Sequence, residues 1–347
     1  MEQPTRREAD PTGLDLAAVT GWIDATRPGL RRGPLTARQL TGGLSNLTYE
    51  LTDGHSRWAL RRPPLGHALP TAHDMEREYR ILSALHGTTV PVPPPVAVCA
   101  DREVLGVPFY LMGFVDGVVL DRPPVLDRVT PAQAARSGRL LMDTLLALHD
   151  LAPDAVGLGE LGRPEGFLPR QLRRWTTQWQ SSATRSVPEL DALVAGLGST
   201  VPAPSPAGIV HGDYRLTNVI YTPDVDRIAA VVDWEMATLG DPLTDLGLLV
   251  VYHQLSADGG FVMPGLAPDR GFAPPEELVA RYAQGSDRDL GTLPWYVAFG
   301  WFKLAVIAEG IHARHLAGLT VGAGFEQIGT WVPHLLGRGL AELSGGI

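Results

Sequence analysis

The pattern of apolar and polar positions changes period along the chain. Residues 1–13 show no periodicity and are expected to form a flexible tail, whereas Leu16, Val19 and Ile23 share one face of a helix expected over 14–25. Between Leu35 and Leu60 the period drops to two. Leu47, Tyr49 and Leu51 alternate with polar residues, Asp53-Gly54 makes a turn, and Trp58 to Leu60 resumes the strand. Helical spacing returns from Asp74 through Met75, Tyr79, Leu82 and Leu85, with Gly87 placed to end the helix. The prolines between Pro91 and Pro95 stop any helix, and Val104 to Phe114 reads as strand, turn, strand around Gly106-Val107-Pro108.

After Asp116-Gly117 the pattern becomes helical. Thr130 is an N-cap with Pro131 at the first helical position of a helix reaching His149, and a second helix runs from Gly166 to Ser181. Ser199 to Pro206 reads as a loop. Three short strand-like runs follow, Gly208 to Val210, Asn218 to Tyr221 and Ile228 to Val232, the last two joined at Pro223-Asp224. Asp241-Pro242 opens a helix to Leu255, and further helices are expected over 275–284 and 294–316. A β-rich part over 14–116 followed by a mostly helical part over 117–347 is an α+β pattern of two lobes.

Composition narrows the class. A chain of 347 residues with 44% apolar and 19% charged residues has material for a sizeable core. The net charge of −9, with no long basic run, argues against a nucleic-acid partner. Cys99 is the single cysteine, so an intramolecular disulfide and a cysteine-based zinc site are both excluded, in keeping with a reducing cytoplasm. A buried core thiol is expected. The first twenty residues lack the apolar stretch of a secretory signal, and the most apolar helical run, Trp295 to Ala308, is too short and too charged to span a bilayer. A cytoplasmic protein without a membrane partner is the expectation. Among the 29 basic residues there is one lysine, Lys303.

Chemistry concentrates in His211-Gly212-Asp213-Tyr214-Arg215-Leu216-Thr217-Asn218 and, beyond an apolar strand, Val231-Val232-Asp233-Trp234-Glu235. An Asp and an Asn in this spacing, followed by a second Asp at a strand end, suit phosphoryl transfer. One carboxylate accepts the proton of the attacking hydroxyl, while the amide and the other carboxylate hold Mg²⁺ on the nucleotide phosphates. The bland alternative is an ordinary loop turn and an ordinary strand end.

With these motifs the chain resembles the aminoglycoside phosphotransferase-like small-molecule kinases, which have a bilobal protein-kinase-like fold. Thr41 to Thr48 is similar to the family's nucleotide loop, Ala59-Leu60-Arg61 to its phosphate-binding strand, Arg77-Glu78-Tyr79 to the helix that partners it, and Phe109-Tyr110-Leu111-Met112 to the strand beside adenine. Further segments resemble the subgroup of kinase domains associated with acyl-CoA dehydrogenases: Leu60 to Pro64, Arg170 to Trp175, Asp233 to Pro242, and Tyr296 to Arg314. The resemblance implies Asp213 as base, Asn218 and Asp233 as Mg²⁺ ligands, and a nucleotide site including Gly42, Gly43, Ser45, Asn46, Arg61, Glu78, Met112 and Phe114. It also implies ATP with Mg²⁺ as cofactors and an active site in the cleft between lobes.

Arg61 departs from the family, which carries lysine there. A guanidinium keeps its charge and clamps phosphate bidentately, but it is flatter and bulkier than an ammonium. Its expected partner is Glu78, with Glu76 as runner-up. Gly42-Gly43 read alone is as good a hairpin turn as a phosphate cradle. His211 is expected to brace the loop, Asp241 to cap a helix, and Asp245 to accept hydrogen bonds from the catalytic-loop backbone.

The subgroup implies phosphorylation of a 4-hydroxyacyl-CoA thioester, with a functional link to a separate acyl-CoA dehydrogenase. Arg170, Arg173 and Arg174, beside Trp175 and Trp179, are the candidate acceptor-binding cations. The alternative for that helix is a solvated charged face with its tryptophans packed inward. Two rival functions stand beside this one. An aminoglycoside resistance kinase calls for an acidic acceptor pocket, and a nucleotide-binding pseudokinase has no need of the full set Asp213, Asn218 and Asp233.

Overall fold

A computed structural model describes residues 10–40, 46–65, 74–257, 268–319 and 325–345 of the chain. It divides into two compact units, residues 1–116 with 229–235, and residues 117–228 with 236–347.

In the first unit, α1 (Leu16–Thr26) starts where the Asp15 side chain accepts from Ala18 N. The strands β1 (Thr36–Gln39), β2 (Leu47–Thr52), β3 (Arg57–Arg62), β4 (Pro95–Cys99) and β5 (Phe109–Gly113) make an antiparallel sheet in the order β1-β2-β3-β5-β4. Its core joins Val19 and Ile23 to Tyr49, Leu51, Leu60, Phe109 and Leu111, and includes the Cys99 thiol. Each such buried side chain contributes about 1.5–3 kcal/mol of transfer free energy. The helix α2 (Met75–Leu85) is capped by Asp74, whose carboxylate accepts from Arg77 N, and packs against β4 and β5.

One element here was not anticipated and one differs from the sequence reading. The proline run ends in β4, at the sheet edge, where a strand tolerates proline as its first residue. Of the two strands expected over Val104 to Phe114, the second is present as β5, but the first is not a strand. Asp101 caps a single helical turn, α3 (Arg102–Leu105), which Gly106 ends in the left-handed region.

In the second unit, α4 (Pro123–Leu126) precedes α5 (Pro131–Asp150), which opens with a reciprocal capping box between Thr130 and Gln133. Helices α6 (Phe167–Ser182) and α7 (Pro188–Ser199) follow, the latter not anticipated from sequence. Strand β6 (Gly208–Val210) leads into the candidate catalytic loop. Strand β7 (Val219–Tyr221) leads into a turn in which Thr222 N donates to Arg227 O, and β9 (Thr238–Gly240) pairs antiparallel with β6; β8 (Ile228–Val231) belongs from residue 229 onward to the first unit. The helices α8 (Leu243–Ala257), α9 (Pro275–Gln284), α10 (Leu293–Leu316) and α11 (Ile328–Leu343) complete the unit. The last of these was also unanticipated. α10 is buried on nearly all sides, through Tyr296, Trp301, Phe302 and Ala305 among others, and packs on α6, α8 and α11. Gly247 of α8 permits this closeness, since a Cβ there would lie 2.6 Å from the Tyr296 backbone.

Candidate active site

The first unit carries a polar cluster built on β3. Sheet register places Arg61 opposite Thr48 on one side and Tyr110 on the other. Its Nε lies 3.0 Å from Glu78 Oε2, its Nη2 donates to Asp233 Oδ1 at 2.5 Å, and Glu235 Oε2 is 3.8 Å away. Tyr110 donates to Glu78 Oε2 at 3.0 Å. Asn46 Nδ2 ties the remaining oxygens together, donating to Glu235 Oε2 at 2.9 Å and to Glu78 Oε1 at 3.3 Å. Glu78 and Asn46 are buried. Burial disfavours the charged guanidinium, but Glu78, Asp233 and Glu235 outweigh it and hold Arg61 above its ordinary range. Burial pushes the Glu78 carboxyl up, against the pull of Arg61.

Asp233 itself stands at φ 69, a left-handed conformation that Asp tolerates better than most residues. Trp234, almost wholly buried, anchors the turn by donating from Nε1 to Val231 O at 3.0 Å.

The second unit carries the loop after β6. Gly212 at φ 84 turns the chain, and a Cβ there would meet Met236 O at 2.7 Å. Asp245, fully buried in the first turn of α8, accepts from His211 N and Gly212 N, both at 2.7 Å. Burial opposes its ionisation, yet its hydrogen bond with His149 and the backbone donors keep it below the usual carboxylate range. His149 is held in turn by Tyr282 at 2.8 Å. His211 Nδ1 accepts from Asp213 N at 3.2 Å, and Tyr296 donates to Asp241 Oδ2 while Asp241 Oδ1 accepts from Leu243 N at the start of α8.

The Asp213 carboxylate is oriented from both sides. Tyr252 donates to Oδ1 at 2.7 Å, Asn218 Nδ2 donates to Oδ2 at 2.9 Å, and Arg215 Nε lies 3.3 Å from Oδ2. Asn218 Nδ2 also donates to Asp213 O at 2.9 Å. Two acceptors on one amide nitrogen fix its orientation and turn Oδ1 to the other side. That leaves the Asn218 amide oxygen, within the second unit, as a hard donor not engaged by Asp213.

Lys303 enters this loop from α10. Its Nζ donates to Gly212 O at 2.6 Å and stands 5.3 Å from the Trp175 ring centroid. Arg174 approaches the same ring at 5.9 Å, and Arg215 lies over the Tyr252 ring at 4.9 Å. Burial lowers the Lys303 pKa, Asp213 and Asp245 oppose the shift, and Arg174 and Arg215 add to it.

Within the first unit, then, Arg61, Glu78, Asn46 and Asp233 form one cluster. Met112, on β5 and cross-strand from Ala59, and Phe114, under the Arg57 guanidinium at 3.9 Å, belong to the end of the same sheet. Gly42, Gly43 and Ser45 lie outside the described residues. Within the second unit, Asp213 and Asn218 are joined directly. The three arginines of α6 separate: Arg170 donates to the carbonyls of Arg163 and Glu165, Arg173 is exposed, and Arg174 reaches the Trp175 ring. Trp175 and Trp179 pack inward. Sequence reasoning missed Tyr252, Arg215, Glu235 and Lys303. Arg215 and Glu235 sit inside the motifs, but nothing local marks Tyr252 or Lys303.

Comparison with known proteins shows the family and the fold. The family described as Phosphotransferase enzyme family (APH) matches residues 36–296. Acyl-CoA dehydrogenase family member 11 of Rattus norvegicus is 34% identical over 88% of this chain and 40% of its own length. The chain spans under half the length of the curated relatives it matches. A solved structure of a candidate aminoglycoside phosphotransferase from Ralstonia eutropha is 32% identical, with a TM-score of 0.81 over 95% of this chain and 98% of that one. The aminoglycoside phosphotransferase APH(4)-Ia, solved as a ternary complex with AMP-PNP and hygromycin B, shares the fold at a TM-score of 0.62 and 15% identity, over 95% of this chain and 98% of that one.

Proposed function

This chain belongs to the phosphotransferase enzyme family, and we propose that it is a phosphotransferase with an alcohol group as acceptor, moving the γ-phosphoryl group of ATP to the hydroxyl of an anionic thioester of the 4-hydroxyacyl-CoA type. The observation carrying the acceptor class is the positive charge gathered around Asp213: Arg215 beside its carboxylate, with Lys303 and Arg174 at the Trp175 ring. Such a surround suits phosphates and repels a polycationic aminoglycoside. The relatives named as acyl-CoA dehydrogenase family members support an acyl-CoA acceptor and a functional link to a dehydrogenase. The AMP-PNP complex of APH(4)-Ia supports an adenine nucleotide as donor.

In this reading Asp213 accepts the proton of the acceptor hydroxyl as its oxygen bonds to phosphorus and the bond to the β-phosphate oxygen breaks. Tyr252 and Asn218 hold the carboxylate in position for that transfer. Asn218 and Asp233 would hold Mg²⁺, which neutralises charge on the phosphates when bound. Arg61, kept charged by its carboxylates, adds to that neutralisation. Asn46, Glu78, Met112 and Phe114 serve the nucleotide, and Arg173 and Arg174 the acceptor.

A mass-spectrometric screen for an added phosphoryl group tests this reading, using 3-, 4- and 5-hydroxyacyl-CoAs, free hydroxy acids and aminoglycosides. Phosphorylation of the thioesters is expected. Modification of an aminoglycoside alone would establish the resistance-kinase alternative, and nucleotide binding without turnover the pseudokinase. Among the described residues no helix is long and apolar enough to cross a membrane.

A further inference from the structure

Lys303 is the one lysine of the chain, and α10 delivers it to the carbonyl of the residue before the candidate base. The peptide unit joining Gly212 to Asp213 is held at both ends: its carbonyl accepts from Lys303 Nζ at 2.6 Å, and its N–H donates to His211 Nδ1 at 3.2 Å. Because Nδ1 accepts, a neutral His211 carries its ring proton on Nε2. The preceding peptide is held as well, through Gly212 N on Asp245. The direction of the Asp213 side chain follows from these peptide planes, and Gly212 cannot relieve a misfit by substitution, since a Cβ would strike Met236.

We infer that Lys303 is a positioning residue for phosphoryl transfer, its ammonium fixing the Gly212–Asp213 peptide so that the Asp213 carboxylate meets the acceptor hydroxyl. The inference rests on the reading of Asp213 as base. Physical chemistry explains why this position is a lysine in a chain otherwise built with arginine. The side chain ends between a carbonyl at hydrogen-bond distance and an indole face. A compact tetrahedral ammonium satisfies both, whereas a flat guanidinium is too broad. The charged groups facing it are Asp213, Asp245, Arg174 and Arg215, so the ammonium also couples electrostatically to the base.

The single lysine makes the test direct. The 347-residue chain carrying ¹³C,¹⁵N-labelled lysine, with no lysine in any tag, gives one side-chain NMR signal. A protected, hydrogen-bonded ammonium is expected, with a resonance that moves on Asp213→Asn and stays in place on Asp191→Asn, a change on the exposed face of α7. In parallel, Lys303→Met should lower kcat for Mg·ATP hydrolysis, with water as acceptor, by about 30-fold while the KM for ATP changes by less than about threefold. Lys303→Arg should recover only part of kcat.

A resonance typical of solvent-exposed lysine and indifferent to Asp213→Asn would overturn the inference, as would Lys303→Met with undiminished kcat. Misfolding of the Met variant leaves the NMR arm decisive, because it needs no change at position 303. If Asp213→Asn leaves ATP hydrolysis intact while the resonance still moves, the base assignment fails and the inference falls with it. A failure confined to Lys303→Met leaves that assignment standing.

Discussion

Arg61 shows how one residue type reshapes its surroundings. Its guanidinium meets Glu78, Asp233 and Glu235, two of them within 3.0 Å, in a place where only 12% of the side chain reaches solvent. Removing the cation leaves the buried Glu78 uncompensated. Arg61→Met should therefore destabilise the protein by about 3–5 kcal/mol, and Arg61→Met/Glu78→Gln should recover much of that loss, as read by urea denaturation. The sign of the pH dependence follows from the same pair. With the folded-state pKa of Glu78 raised, the native state binds more protons than the unfolded one above the ordinary value of 4.5, so stability falls as pH rises through that window. Without Arg61 the fall should be steeper. The Arg61–Glu78 pair was legible in the sequence because strand β3 and helix α2 each carry a recognisable pattern. The Glu235 and Asn46 contacts were not legible, since they join segments 189 residues apart.

At the scale of the element, α8 does two jobs on one face. Asp245 in its first turn holds the loop backbone, and Tyr252, two turns later, holds the Asp213 carboxylate. Tyr252→Phe removes one donor from that carboxylate and leaves the packed ring. A fall in kcat of about tenfold, with the KM for ATP little changed, is expected in steady-state kinetics. The next residue, His253, points into the interior, where its Nδ1 lies 3.0 Å from Leu249 O and burial lowers its pKa to about 4. Because the unfolded chain takes up this proton near 6.5 and the native state only near 4, stability is lost as pH falls through that window. The loss is of order 3 kcal/mol. His253→Gln should flatten the acid limb of the urea-denaturation midpoint against pH. Helices with caps, such as those after Asp74 and Thr130, were readable from local chemistry. The edge strand beginning at Pro95 and the Gly-containing α7 and α11 were not, because tertiary packing rather than local propensity decides them, and the Asp101-capped turn was not because a single turn is too short to show a helical period.

At the scale of the whole molecule, the net charge of −9 and the local cations make opposite claims on an anionic acceptor. The distant charge acts through solvent and is screened beyond a Debye length of about 8 Å at physiological ionic strength, whereas groups beside Asp213 act at contact distance. If the local cations govern recognition, added salt weakens thioester binding, and the KM for the hydroxyacyl-CoA rises with ionic strength. If the overall charge governs, salt relieves repulsion and the same KM falls. The α6 arginines decide between the two cases residue by residue. Reversing Arg173 and Arg174 together to Glu should raise the KM for the thioester by about tenfold or more and flatten its salt dependence. Both residues are exposed, so little stability is at risk. The KM for ATP serves as the internal reference: it should stay unchanged in the doubly reversed protein, and an equal rise for both substrates would remove α6 from the acceptor site.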